Sequence, residues 1–580
     1  MIFSQHYLAC LSHASYLIGD ETTGRAVVVD PRRDIGVYLD EADANGLRIE
    51  RVIETHLHAD FLSGHLELAA AAVGAVISFG EGAALDFPSE TVVHGQRLSL
   101  GDVALEIRAT PGHTPESICV VVYEHADDMV PYGVLTGDTL FVGDVGRPDL
   151  LASSGTGLDA STLGRLLYRS LHEQILDLPD ETRVFPAHGA GSSCGKQLSS
   201  ETSSTIGEQR RSNYALQPMT EDQFVAAVTE GQPARPHYFS FDALLNRTDH
   251  RLLDETSPPP AMTLSEVLER VAAGAVPLDT REPADFAAGH LGGAVNVGLL
   301  GRFAEWAGDV LDPSQEIVLV GDPATALESR VRLARIGFDR VIGTLCDLRE
   351  MVEGRPDLVE QSSRMTIEQL AELVRLVPEI QLLDVRNPGE TASGTLAGAR
   401  TIPLAVLVDS LDHLDADDPV VVSCAGGYRS MIAASLLRHV GFSDVSDLIG
   451  GYGAWSAAGL PVIRDDSEPA LVVEVTPLAA EDLISAGALV IDVREQDEWS
   501  AGHAPDARLI PMSQVESRVG EVRRGASAVI VCRTGGRSHA IAQVLNSHGI
   551  DAVNLSGGMR AWEQAGLPVV TDAGGAGRII

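Results

Sequence analysis

The sequence predicts a multidomain α/β protein, with a mixed α/β N-terminal region ahead of three copies of one small parallel-sheet domain. Three observations carry that reading. A motif recurs three times in the C-terminal half. Each copy alternates short apolar strands with helices. The first stretch lacks the motif and places His and Asp residues in Gly- or Pro-marked turns after apolar strands. The expected domains are residues 1–245, 262–355, 364–464 and 472–572.

The recurring motif is a strand ending in an acid and an arginine, followed by a glycine turn. Leu278-Asp279-Thr280-Arg281 precedes Gly289-His290, Leu383-Asp384-Val385-Arg386 precedes Gly394-Thr395, and Ile491-Asp492-Val493-Arg494 precedes Gly502-His503. The three aspartates stand 105 and 108 residues apart, Cys424 and Cys532 stand 108 apart, and Trp455 and Trp562 stand 107 apart. That period suits a repeated domain and is too long for a solenoid unit. Each copy reads as a helix, the Asp-bearing strand, a second apolar strand (Ile317–Val320, Val420–Val422, Ala528–Val531), a loop of small residues and a helix. Polar or Pro-rich linkers are expected at Asp254–Pro260, Gly354–Ser363 and Arg464–Pro469. In the N-terminal region the expected strands are Ala26–Asp30, Arg51–Glu54, Val103–Ala109 and Gly133–Leu135, with a helix from Gly64 to Val73.

Composition removes several classes of function. With 42 basic and 82 acidic residues the chain carries a formal charge of −40, and Lys196 is its single lysine. Such a chain repels nucleic acid and anionic membrane, and no basic run offsets this. A 44% hydrophobic and 21% charged composition is globular. Six scattered cysteines do not make a disulfide framework and point to a reducing, cytoplasmic home. The N-terminus lacks the basic and apolar regions of a secretory signal. The longest apolar stretch, Leu68 to Gly80, is too short to span a bilayer.

The chemistry of the N-terminal region lies in four turns. Thr55-His56-Leu57-His58-Ala59-Asp60-Phe61 follows a strand and directs two imidazoles and an acid to one side. Gly112-His113, Gly137-Asp138 and His188-Gly189 follow further strands. Imidazoles with carboxylates suit zinc, iron or copper. Cys194 lies in a Gly/Ser-rich loop with Lys196 two residues on. A nearby cation favours thiolate, so Cys194 either takes up sulfur beside the metal or is an inert small residue.

In the second and third repeats the loop is Cys424-Ala425-Gly426-Gly427-Tyr428-Arg429-Ser430 and Cys532-Arg533-Thr534-Gly535-Gly536-Arg537-Ser538. Glycines let successive N–H groups turn inward as an anion nest before a helix, which stabilises a thiolate or a persulfide. Arg429 and Arg537 close the loops as anion-binding groups. The Cys-x4-Arg spacing is one residue shorter than the loop that surrounds a phosphate, and suits a sulfane sulfur. The first repeat has Val320-Gly321-Asp322-Pro323-Ala324-Thr325 at this place, with neither Cys nor nest. Its Cys346 lies on the next strand. This copy is expected to be inactive, with a packing or interface role.

The ordered set HxHxD, GH, GD and HG resembles the metallo-β-lactamase fold, an αββα sandwich. Thr136–Leu150 and Phe185–Lys196 resemble the persulfide dioxygenases, near glyoxalase II. The Asp-Val-Arg strand, Cys loop and late Gly-Gly-x-x-x-Trp of the repeats resemble rhodanese sulfurtransferases. The whole resembles bacterial persulfide dioxygenase–rhodanese fusions, with a third rhodanese-like copy added. The resemblance implies one iron(II) held by His56, His113 and Asp138, with zinc as the alternative metal, and open positions for O2 and a substrate sulfur. His58, Asp60 and His188 are then orienting residues or ligands of a second, weaker metal. Arg147 is an anchor for an anionic substrate or a structural ion pair. The dinuclear hydrolases carry a further His where this chain has Phe61, and a phenyl ring cannot bind metal.

The implied activity is oxidation of a low-molecular-weight thiol persulfide by O2 to sulfite and thiol, coupled to sulfur transfer between persulfide and sulfite or thiosulfate at Cys424 and Cys532, in sulfide detoxification. Two other readings are a glyoxalase II-like thiolester hydrolase with sulfurtransferase domains, which needs two metals, and a sulfur-carrier scaffold with a degenerate N-terminal site. A homo-oligomer is expected, with neither nucleic acid nor membrane as partner.

Overall fold

The computed structural model describes the chain apart from residues 151–157, 197, 346–347, 349–352, 378–379, 464–471, 519–526, 534, 548–549, 572–574 and 580. Cys346, the expected linker Arg464–Pro469 and Thr534 therefore lie outside the described residues.

Two six-stranded sheets form the N-terminal domain. The first runs in chain order from Ile2–Leu8 to Glu90–Val92; the second lies in reverse chain order, from Ser204–Thr205 back to Arg97–Ser99. Side chains alternate across a strand, and that alternation assigns the layers. Val27 and Val29 face Val120, Val122, Leu135 and Phe185 of the other sheet in a shared core. Ala26 and Val28 face outward and pack with Tyr38, Ala42 and Leu68 of the helices Gly36–Ala44 and His65–Ala71. Cys119 and Val121 face outward from the second sheet onto Leu167, Leu171 and Phe224. The result is the expected αββα sandwich.

Each repeat builds a five-stranded parallel sheet with the same strand order. In the first it is Ala261–Met262, Val341–Leu345, Ile317–Val320, Val276–Asp279, Val295–Asn296. The second runs Ser363–Met365, Val445–Leu448, Val420–Ser423, Gln381–Asp384, Arg400–Thr401. The third runs Val473–Val475, Asp551–Leu555, Ser527–Val531, Leu489–Asp492, Arg508–Leu509. The first helix of every copy starts at a threonine, Thr263, Thr366 or Thr476, whose side chain accepts an N–H of the first turn. The recurring acid–arginine pair is structural. Asp279, Asp384 and Asp492 are buried, and each accepts hydrogen bonds from the arginine two residues on, at 2.6–3.2 Å. In the first and third copies that arginine also donates to the carbonyl of Gly289 or Gly502, tying the strand end to the glycine turn.

One expected linker proves to be structured. Within 354–363, Val359–Glu360 pairs antiparallel with His290–Leu291, and Ser363 opens a strand. Backbone donors next to an exposed strand edge are satisfied by pairing with it, which polarity alone does not reveal. Among the described residues no helix is long and apolar enough to cross a membrane.

The chain forms two compact units, Met1–Gly389 with Leu396–Val462, and Ile463–Ile580 with Glu390–Thr395. Inside the first unit one buried cluster joins Phe61, Phe141 and Cys194 of the sandwich to Phe303 and Leu333 of the first repeat and to Leu404 and Cys424 of the second. A charged tie crosses the same boundary. Arg33, fully buried, donates to Glu67 at 2.9 Å, to both oxygens of Asp339 at 2.6 and 2.9 Å, and to the carbonyls of Ala334 and Arg251. Removing one member of a buried ion pair leaves an uncompensated charge. Arg33→Ala is expected to destabilise the first unit by about 3–5 kcal/mol, read as a lower midpoint of chemical unfolding followed by tryptophan fluorescence.

Candidate metal centre and cysteine loops

Four strand ends converge on one edge of the sandwich. His56 and His58 follow Arg48–Ile53, His113 follows Ala104–Ala109, Asp138 follows Gly133–Gly137 and His188 follows Arg183–Pro186. One ligand atom each from His56, His113 and Asp138 lies within 4.8 Å of the others, all three residues being buried. Asp138 Oδ2 stands 3.4 Å from His113 Nε2 and 3.8 Å from His56 Nε2, and Asp138 Oδ1 stands 3.5 Å from His188 Nε2.

The donor set fits a cation. Among the described residues neither oxygen of buried Asp138 has a hydrogen-bond partner, and a bare buried carboxylate is costly without positive charge beside it. The far nitrogens of both histidines are held, as metal-binding imidazoles require. His113 Nδ1 donates to the carbonyl of Arg147 at 2.9 Å. His56 Nδ1 donates at 2.9 Å to the Thr55 hydroxyl, whose own proton goes to Asp30. Burial, then the neighbouring imidazoles, hold His56 well below its usual pKa, in the neutral form that binds metal. Glycine is required where the backbone closes on the site. A Cβ at Gly146 would stand 2.0 Å from the Asp138 carbonyl and 2.9 Å from His113 Nδ1.

The auxiliary residues divide. His188 Nε2 stands 3.2 Å from Asp60, and its Nδ1 is hydrogen-bonded to the Ser12 carbonyl. His58 turns Nε2 to Asp30 at 3.2 Å and Glu54 at 3.3 Å. Burial works against charge on His58, yet those two acids outweigh it and raise its pKa well above the ordinary value. Burial in turn lifts Glu54 to about 7. Atoms of His58, Asp60 and His188 also lie within 4.8 Å of one another. Phe61 covers this side, its ring 4.4 Å from His58 and 4.0 Å from His13.

Of the two roles expected for Arg147, the structure shows the ion pair: it is buried, grips Asp149 through Nε and Nη2 at 2.8 and 2.6 Å, and donates Nη1 to the carbonyls of Ser193 and Pro233. It braces the loop that carries Cys194. Lys196 does not activate Cys194. Its Nζ reaches the carbonyls of Ala227 and Glu230 at the end of the helix Glu221–Thr229 and lies over the Tyr214 ring. Cys194 itself faces Asp138 and His188. Burial, then the charges of Asp60 and Asp138, push its thiol well above the usual range.

Sequence reasoning missed three residues here. Asn246 donates to the carbonyls of His58 and Phe61 and accepts from the N–H of Ser63, clamping the HxHxD turn. Asp30, at φ +50°, accepts from the backbone and hydroxyl of Thr55. His13 is fully buried, and among the described residues neither ring nitrogen has a hydrogen-bond partner.

The cysteine loops fold as nests. Cys424 Sγ accepts the N–H of Gly427 and Cys532 Sγ that of Gly535, both at 3.1 Å. The Ser538 hydroxyl donates to Cys532, and the Cys424 thiol faces Ser430. The late Gly-Gly motif supports each loop from behind. Gly451 and Gly558 have positive φ, and a Cβ on them would stand 2.2 and 2.5 Å from the carbonyl of Cys424 or Cys532. Those carbonyls accept the N–H of Tyr452 and Met559. Arg537 is buried and paired with Glu498 at 2.7–2.8 Å. Arg429 is half-buried at the corresponding place. In the first repeat Asp322 caps a short turn where the cysteine would lie.

A ligand set at the strand ends of an αββα sandwich, ahead of these sheets, defines a metallo-β-lactamase-fold protein with rhodanese domains. Family models agree, matching the metallo-beta-lactamase superfamily over residues 8–188 and the rhodanese-like domain over 263–345, 366–458 and 476–565. The chain belongs to the persulfide dioxygenase/sulfurtransferase family. It is 30% identical over 234 residues to "Persulfide dioxygenase ETHE1, mitochondrial" of Bos taurus, covering 39% of this chain and 80% of the relative, with the same figures for the Homo sapiens protein. A crystal structure described as a metallo-beta-lactamase from Staphylococcus aureus subsp. aureus COL is 34% identical with a TM-score of 0.54, covering 60% of this chain and 98% of that one.

Two expected outcomes follow from this geometry. Thr55→Val leaves His56 Nδ1 without its acceptor and should weaken metal affinity about 10–100-fold in a chelator competition. In the folded protein at pH 7, iodoacetamide should leave Cys194 unmodified, as read by peptide mass spectrometry, because the thiol is both buried and protonated.

Proposed function

We propose that the N-terminal domain oxidises a low-molecular-weight thiol persulfide with O2, and that Cys424 and Cys532 pass sulfane sulfur between persulfide and sulfite or thiosulfate, in sulfide detoxification. The oxidation falls to the domain at 1–245 and the sulfur transfer to those at 364–464 and 472–572, with the repeat at 262–355 inactive. The observation that carries the reading is the His56–His113–Asp138 triad with Phe61 beside it. That pairing suits a single metal with open positions and not a dinuclear hydrolase. The named relatives support it.

His56, His113 and Asp138 would hold one iron(II), which supplies O2 binding and activation beside the substrate sulfur. The net reaction is R–S–S⁻ + O2 + H2O → R–SH + HSO3⁻. The chain's own residues set the conditions. Thr55 and the Arg147 carbonyl fix the imidazole orientations, Phe61 and Phe141 keep the wall dry, and Arg147 holds the Ser193–Cys194 loop against the site. At the rhodanese loops, inward N–H groups stabilise the thiolate and the Cys–S–S⁻ that follows it.

The test is O2 uptake by the iron(II)-loaded full chain given glutathione persulfide, with sulfite and thiosulfate quantified, for the wild type and for Cys424→Ser and Cys532→Ser. Uptake is expected in all three, with thiosulfate giving way to sulfite in the variant that lacks the working cysteine. Absence of O2 uptake together with thiolester cleavage on addition of zinc would replace this reading with the glyoxalase II-like hydrolase.

A further inference from the structure

Within the first compact unit a polar cavity of about 40 Å³ lies where the sandwich meets the first two repeats. Ser193 of the Cys194 loop lines it from the sandwich. Arg302, Trp306 and Asp309, from the helix Phe303–Val310 and its N-terminal cap, line it from the first repeat. Asn387 and Arg429 line it from the second. Arg429 closes the Cys424 loop, and the residue before it, Tyr428, packs its ring on Trp306 with centroids 4.9 Å apart. Arg302 also borders the metal-domain loop, since a Cβ at Gly191 would stand 3.7 Å from its Nη1. The first repeat has no cysteine loop of its own, and it presents this helix to the loop of the second.

The lining has a definite chemistry. Two guanidinium groups, an amide and an indole border the space. Of the two acids, Glu305 is bound to Arg302. Burial lifts the Asp309 carboxyl to about 7, with Arg302 and Arg429 pulling it the other way, so near neutral pH it is available as a proton-bearing donor. A single ordered water needs roughly 10–15 Å³ by this measure, so the cavity accepts an ion of a few heavy atoms and excludes a bulky thiol cofactor.

We propose that this cavity binds a sulfur oxyanion, sulfite or thiosulfate, and that Arg302 of the cysteine-free first repeat supplies recognition for Cys424 in the second. The proposal rests on the reading of Cys424 as a sulfur carrier. Toward thiosulfate, the sulfur lone pair of sulfite forms a bond to the outer sulfur of Cys424–S–S⁻. The bond from that sulfur to Sγ breaks, and its electron pair stays on Sγ as thiolate. The reverse step consumes thiosulfate. Neither direction needs an external oxidant or reductant. Bidentate guanidinium donors match the oxyanion face better than a point charge.

The test uses the full chain with Cys532→Ser, so that Cys424 alone carries sulfur, with thiosulfate as donor and cyanide as acceptor. Arg302→Gln is expected to raise KM for thiosulfate about tenfold with kcat within about twofold, and Arg302→Lys to recover part of the loss. Loading of Cys424 from glutathione persulfide, whose transferable sulfur bears no oxygens, should be unchanged in both variants. An unchanged KM in Arg302→Gln overturns the proposal while leaving the carrier reading intact. Equal loss with both donors overturns it as well, because it marks Arg302 as purely structural. If the Arg302-bearing chain moves sulfur from neither donor, the carrier reading fails first and the proposal falls with it.

Discussion

The carboxylate of Asp138 is the constraint around which the N-terminal domain is organised. It is buried at a strand end with neither oxygen hydrogen-bonded, and three imidazole nitrogens stand 3.4–3.8 Å away. An ionised group in that position is tolerable only with a compensating cation. Much of the nearby sequence serves to keep the compensating donors aimed. Thr55 and Asp30 orient His56, the Arg147 carbonyl orients His113, Ser12 orients His188, and Asn246 holds the turn between His58 and Ser63. Removing the charge of Asp138 would relieve the burial penalty and leave those supports without purpose.

The cysteine loops solve the same problem with opposite means. A negative charge on either cysteine sulfur would be met by a backbone N–H, which needs no second ionisable residue and no metal. The cost falls on the backbone. Gly427, Gly451, Gly535 and Gly558 take positive φ, and the second glycine of each Gly-Gly pair sits against the cysteine carbonyl with no room for a Cβ. The first repeat has neither this device nor a cysteine at the corresponding turn, yet it keeps the acid–arginine pair, because that pair holds the sheet and not the site.

The triad His56, His113 and Asp138 was legible because each residue lies in a short turn directly after a strand, so that local order implies spatial convergence. The threefold repeat was legible because the strand-end pair and the tryptophan recur at one period. The sequence left Arg147 open between two roles and misdirected Lys196, because sequence proximity does not fix the direction of a long side chain. Arg147 found Asp149 and two carbonyls, and Lys196 found the end of a helix more than thirty residues further on. Asn246 and His13 were invisible for a different reason. Each reaches the site across a large sequence separation, and a lone Asn or His in an otherwise ordinary segment carries no local signal. The strand in 354–363 was hidden by polarity, since edge pairing uses the backbone and is indifferent to the side chains.

The continuous core of the first unit has a consequence for what a domain means in this chain. Phe61, Phe303 and Cys424 belong to one buried cluster, and Arg33 ties the sandwich to Asp339 across the segment Asp254–Pro260. Covalent continuity through that segment is therefore not what keeps the metal domain and the repeats together. The surfaces that meet in this core are buried as those of an obligate interface are. The sandwich and the first two repeats, three domains by sequence, share one core and so form a single packing unit.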